Sequence, residues 1–97
     1  MTVRGEQARA LLGYTLGEME QPSETTPLFV LETRLASIDA ALEVTDLAMK
    51  TCGGAAFSRH LGVERIFRDA RAGWVMAPTA DHLRDFIGRA LTGLPLF

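Results

Sequence analysis

The chain is poor in the groups from which most sites are built. It has one cysteine, Cys52, and two isolated histidines, His60 and His82. That excludes an intramolecular disulfide and leaves no recognisable set of metal ligands. A reducing cytoplasm is the expected setting. Charge of either sign is also sparse: ten Lys and Arg against twelve Asp and Glu give a net charge of -2, with no block of like charge. A basic face for nucleic acid is therefore not expected. Lys50 is the single lysine among the ten cations. The opening "MTVRGEQARA" is not followed by an apolar run of signal-peptide length. No segment approaches the ~18 apolar residues of a membrane span. No stretch alternates with period two, so no sheet is predicted, and there are no internal repeats.

Apolar side chains are abundant. In 97 residues, 47% are hydrophobic, and a chain this short forms one domain at most, with a marginal core. Such a fraction cannot all be hidden inside, so an apolar face left for another chain is expected. The pattern is helical throughout. Over about 6–20, Ala8, Leu11, Leu12, Thr15, Leu16 and Met19 recur at helical spacing, although Gly13 and Gly17 weaken the segment. "QPSETTP" reads as a loop, with Thr26 as N-cap and Pro27 at the first helical position.

The strongest pattern covers 27–52. Leu31, Leu35, Ile38, Leu42, Thr45 and Met49 form one apolar face, while Ala36, Ala40, Val44, Leu47 and Ala48 form a second. Two apolar faces predict burial on two sides. Gly53-Gly54 stops this helix through a left-handed cap. A third helix over 62–76 is predicted to bury Val63, Ile66, Phe67, Ala70 and Trp74 on one side. Pro78 ends it. Thr79 then caps a fourth helix over 80–91, which carries Leu83, Phe86, Ile87, Ala90 and Leu91 inward and has Asp81 in its positively polarised first turn. The fold class is all-α, an up-down bundle of about four helices.

Catalytic groups are few. A Ser-His-acid arrangement would need Ser23, Ser37 or Ser58 with His60 or His82, and none stands in a nucleophile-elbow context. No catalytic residue is assigned. Cys52, at the end of an apolar helix, reads as a small packed side chain rather than a nucleophile. His82 reads as a surface residue, and Arg68-Asp69 as a solvated or locally paired surface feature. The Gly53-Gly54 pair stands out, because a helix cap accounts for one glycine more easily than for two. The second leaves room for close backbone approach by another group.

"CGGAAFSRHLGVERIFRDARAGWVMAPTADHLRDFIGRAL", residues 52–91, resembles the carboxy-terminal end of the acyl-CoA dehydrogenase family. The resemblance rests on an ordered set: a long helix ending at Gly53-Gly54, then Gly62-Val63-Glu64-Arg65, Arg68-Asp69-Ala70, and Thr79 opening the last helix. It implies a carboxy-terminal helical domain that contacts FAD and builds the oligomer, present as a fragment or as a short separate chain. The amino-terminal and middle β-domains of the family lie outside residues 1–97. It further implies that Gly53, Gly54 and Thr79 contact the FAD of a neighbouring subunit. Lys50, where the family often has glutamine, would reach a phosphate by charge. The free N–H groups of a helix start such as that at Thr79 suit an anionic cofactor.

The family's usual catalytic glutamate belongs at Ala77, which cannot take a proton, and Pro78 replaces its glycine neighbour. The resemblance therefore implies α,β-dehydrogenation of acyl-CoA only together with a larger flavoprotein chain, with the base supplied elsewhere. Two other readings stand beside it: part of a flavin-dependent monooxygenase of the same fold, which needs no such base, and a helical interaction module without flavin. Self-association through the apolar helix faces is the alternative to a larger partner.

Overall fold

The computed structural model describes residues 1–95. Helix α1 spans Thr2–Glu20 and α2 spans Thr26–Cys52. A 3-10 turn, Gly53–Phe57, leads to α3, Val63–Ala70. A single turn, α4, Ala72–Val75, precedes α5, Ala80–Leu91. All the regular structure among the described residues is helical, as the periodicity predicts.

The second helix is the hub. Both of its apolar faces are buried or half-buried along their length, and α1, α3 and α5 all pack on it. Direction follows from long-range contacts. Arg4 pairs with Glu43 and the Thr15 hydroxyl meets that of Thr33, so α1 runs antiparallel to α2. Arg71 reaches Thr45 while Gly73 lies on Ile38, so α3 and α4 are also antiparallel to it. Arg34 meets Pro78 and Arg84 meets Asp39, which sets α5 parallel to α2.

Several local expectations are corrected. Helix α1 begins at Thr2, well before residue 6; it does so despite Gly5, with Arg4 anchored on Glu43 of α2. The N-cap position of α2 is Thr25, not Thr26, and it makes no side-chain cap bond. The Thr26 hydroxyl instead accepts the N–H of Ser23 at 2.8 Å, closing the preceding turn. Pro27 keeps its place in the first turn.

The predicted third helix is broken at Arg71. There the N–H of Arg71 donates to Arg68 and that of Trp74 to Arg71, the tighter i to i+3 pattern. This lets α4 press on α2 so closely that a Cβ on Gly73 would sit 2.6 Å from Ile38. Val63, Phe67 and Ala70 stay at least half-buried, but Ile66 and Trp74, predicted inward, are more than half exposed. In α5, Leu83 is fully buried and Phe86 and Ile87 half-buried, while Ala90 and Leu91 are exposed.

The interior is small. Ala40, Ala56, Ala80 and Leu83 are its buried apolar residues, joined by Thr15 and Thr45. Both threonines are satisfied, Thr45 by the carbonyl of Ala41 at 2.6 Å and by Arg71 at 3.0 Å. The Arg71 guanidinium also lies 3.6 Å from the Phe67 ring centre, a cation-π contact within the end of α3, while its bond to Thr45 ties that end to α2.

Candidate functional site

The Gly-Gly turn is built by the end of α2. Gly53 closes the helix by donating its N–H to Met49, at φ 60 and ψ -142. That conformation is open almost only to glycine. Gly54 has no positive φ. A Cβ added at either glycine would meet nothing of this chain within 4 Å. The two residues thus do different things: Gly53 is required by the chain's own turn, and Gly54 is not. Replacing Gly53 by Ala should lower stability by about 1–3 kcal/mol through backbone strain, checked by urea unfolding of the full chain. An unchanged midpoint would show that the turn relaxes at no cost.

Lys50 stands one turn before the glycines, its ammonium 2.9 Å from Asp46 and largely exposed. A cation there offsets the negative end of the α2 dipole. Cys52, expected to be packed, is exposed beside the turn. Arg68 and Asp69 form the expected exposed surface pair, 3.8 Å apart.

Thr79 is the N-cap of α5, its hydroxyl accepting the N–H of His82 at 3.3 Å. Ala77 is exposed and is joined to Pro78 by a cis peptide. The Pro78 carbonyl accepts two bonds from the Arg34 guanidinium, each 3.3 Å, which fasten the loop to α2. Asp81 is almost fully exposed, with Arg84 3.8 Å away. The terminus therefore offers a hydroxyl and backbone N–H groups with little net charge. Thr79→Ala should cost about 1 kcal/mol through the lost cap, read as a lower thermal midpoint; no change would mean that the cap bond contributes nothing.

The fold does not bring the two segments together. Thr79 sits at the level of Arg34, and at about 1.5 Å per residue Gly53 lies roughly 28 Å further along α2. One phosphate cannot touch both within one chain. They would meet distant parts of an extended dinucleotide, or different cofactor molecules.

The fold locates the expected exposed apolar face. Leu12, Leu16 and Met19 are about half exposed and, with Val30, line an apolar trough between α1 and α2 that runs from Pro22 and Pro27 to Ile38. Their helical spacing is legible in the sequence. What could not be read locally is that the inward line of α1 is Ala8, Leu11 and Thr15. Among the described residues, no three His, Cys, Asp or Glu are grouped to hold a metal ion. No helix among them is long and apolar enough to cross a membrane.

Residues 1–92 match the family described as acyl-CoA dehydrogenase, C-terminal domain, and the chain belongs to the acyl-CoA dehydrogenase family. It is 36% identical over 77 residues to a mitochondrial very long-chain specific acyl-CoA dehydrogenase of Rattus norvegicus, an alignment covering 68% of this chain and 12% of the relative. To the protein so named in Bos taurus it is 32% identical over 84 residues, 78% of this chain and 13% of the relative. The chain thus spans about an eighth of the length of these relatives. No solved structure matches it.

Proposed function

We propose that this chain is the FAD-contacting and oligomer-building helical domain of an acyl-CoA dehydrogenase-like oxidoreductase, working with flavin-binding domains on a larger partner chain. The observation that carries this reading is Gly54. It is an exposed glycine with no positive φ and open space where its Cβ would be, so its lack of a side chain serves no contact inside the described chain. A backbone surface without Cβ suits a group that must approach closely. The fit extends to Thr79, whose hydroxyl keeps its own proton to donate while accepting from His82, and to Lys50, long enough to exchange Asp46 for a phosphate.

When bound, the flavin supplies the two-electron oxidation of the acyl thioester. This chain's residues hold and orient: Gly53 shapes the turn, Gly54 lets the cofactor approach, and Thr79 fixes the start of α5. Ala77 moves no proton, so the base comes from the partner. The exposed thiol of Cys52 suits a reducing compartment, either the cytoplasm or the mitochondrial location printed in the relatives' names.

Ala77 favours a second reading, a flavin monooxygenase of the same fold, because such a reaction needs no α-proton base. The assembled complex separates them. Reduction of an electron acceptor on adding acyl-CoA supports the dehydrogenase, and oxygen uptake with reduced flavin supports the monooxygenase. A complex without flavin would leave an interaction module.

A further inference from the structure

Two side chains of α2 hold the start of α5 from either side of Thr79. Ahead of the cap, Nε and Nη2 of Arg34 both donate to the Pro78 carbonyl at 3.3 Å. Behind it, Asp39 accepts from Arg84 at 2.8 and 2.9 Å, and Ala80 and Leu83 are buried. This second group anchors the helix itself. The segment before the helix depends on Arg34. Among the described residues, Ala77 and Pro78 make no backbone-to-backbone hydrogen bond, and Ala77 is exposed.

The geometry of one peptide makes the Arg34 contact more than a fastening. Ala77-Pro78 is the cis bond among the described residues, so the next unit, Pro78-Thr79, is trans. In a planar trans unit the C=O and the N–H point in opposite directions. A guanidinium that holds the Pro78 carbonyl therefore fixes the Thr79 N–H on the far side. By polarising the shared peptide it also makes that N–H the stronger donor. The N–H groups of Thr79, Ala80 and Asp81 have no acceptor among the described residues, as is usual at a helix start. Those of Ala80 and Asp81 are set by the helix. That of Thr79 is set by its peptide plane, which turns freely once the carbonyl is released.

We infer that Arg34 is a positioning residue for the cofactor contact at Thr79. By holding the Pro78 carbonyl it aims and strengthens the Thr79 N–H, which is then presented as a fixed donor to an anionic oxygen of the flavin cofactor. Arg34 acts through the peptide, with no contact of its own to the cofactor. A donor fixed before binding spares the complex the cost of ordering it on binding. This inference rests on the proposed FAD contact at Thr79.

The test compares three variants. Arg34→Met keeps an unbranched stem and removes the donors, Arg34→Lys restores a cation and a donor, and Arg4→Met breaks the Arg4–Glu43 pair elsewhere on α2. In the full chain alone, the Thr79 amide nitrogen resonance, which responds to hydrogen bonding at the preceding carbonyl, should move in Arg34→Met. It should return towards its original position in Arg34→Lys, with circular dichroism unchanged in both. In the assembled complex, stripped of flavin and titrated with FAD, the Kd should rise at least roughly tenfold in Arg34→Met. Arg34→Lys should recover most of that loss, and Arg4→Met should match the parent. A Thr79 resonance that stays in place, an unchanged Kd in Arg34→Met, no recovery in Arg34→Lys, or an equal loss in Arg4→Met would each overturn the inference. The parent complex keeps the two readings apart. Flavin bound there with an unchanged Kd in Arg34→Met sinks only the role of Arg34, whereas a parent complex that takes up no flavin sinks the proposed function and this inference with it.

Discussion

Changing Gly54 to Val should strip flavin from the assembled complex while leaving the chain itself folded. The new side chain meets nothing of this chain, and Gly54 has no positive φ. Stability of the isolated chain should therefore stay within about 1 kcal/mol of the parent, since removing a glycine at an unstrained position mostly restricts the unfolded state. What the isopropyl group does is stand on the surface the cofactor is proposed to approach. Flavin occupancy should fall at least roughly tenfold, equivalent to about 1.4 kcal/mol of lost binding. Ala77→Glu is the matched control: it adds a larger, charged side chain on an exposed loop and should leave occupancy nearly unchanged. Flavin content is measured by visible absorbance against protein concentration. Equal content in Gly54→Val and the parent would remove the Gly-Gly turn from the site.

Leu83→Ala should have the largest effect on stability. Among the described residues, Leu83 is the one large side chain that is completely buried, and the other buried apolar residues are all alanines. Truncating a buried leucine costs about 2–5 kcal/mol, against a total of about 5–15 kcal/mol for an ordinary domain and less for one this small. The variant should lose cooperative thermal unfolding measured by circular dichroism. Leu91→Ala, at the exposed end of the same helix, should be close to neutral. Equal midpoints for the two variants would mean that α5 is not held by Leu83.

Sequence periodicity carried the hub and its stops. The two faces of α2, the need for glycine at Gly53 and the cap at Thr79 are local: they depend on spacing along one helix or on backbone geometry within a few residues. What escaped depends on residues far apart in the chain. Nothing around Gly73 announces that Ile38 lies against it, so the break that turns Ile66 and Trp74 outward could not be anticipated. Nothing near Pro78 shows that Arg34 will hold its carbonyl. Cys52 shows the limit of the apolar pattern: it ends an apolar helix and is nevertheless exposed.

The same limit applies to the candidate site. The ordered motifs pointed to the family, and the family is borne out over residues 1–92. Within the site, the resemblance treated Gly53 and Gly54 as a pair, whereas the backbone separates a glycine the turn needs from one it does not. The distance of both from Thr79 depends on how α5 is laid along α2, which no single motif encodes. That Ala77 stands where the family's usual base would be is what the resemblance implies; its methyl side chain has no group to take a proton.

The central claim is that this domain completes a flavin site together with a larger chain. The most direct measurement is the visible absorption spectrum of the tagged chain recovered from its native cells, taken with the masses of the chains that accompany it. The expected result is a yellow complex containing one larger chain, with flavin in stoichiometric amount. A colourless eluate, whether the chain is alone or bound to another protein, would contradict it.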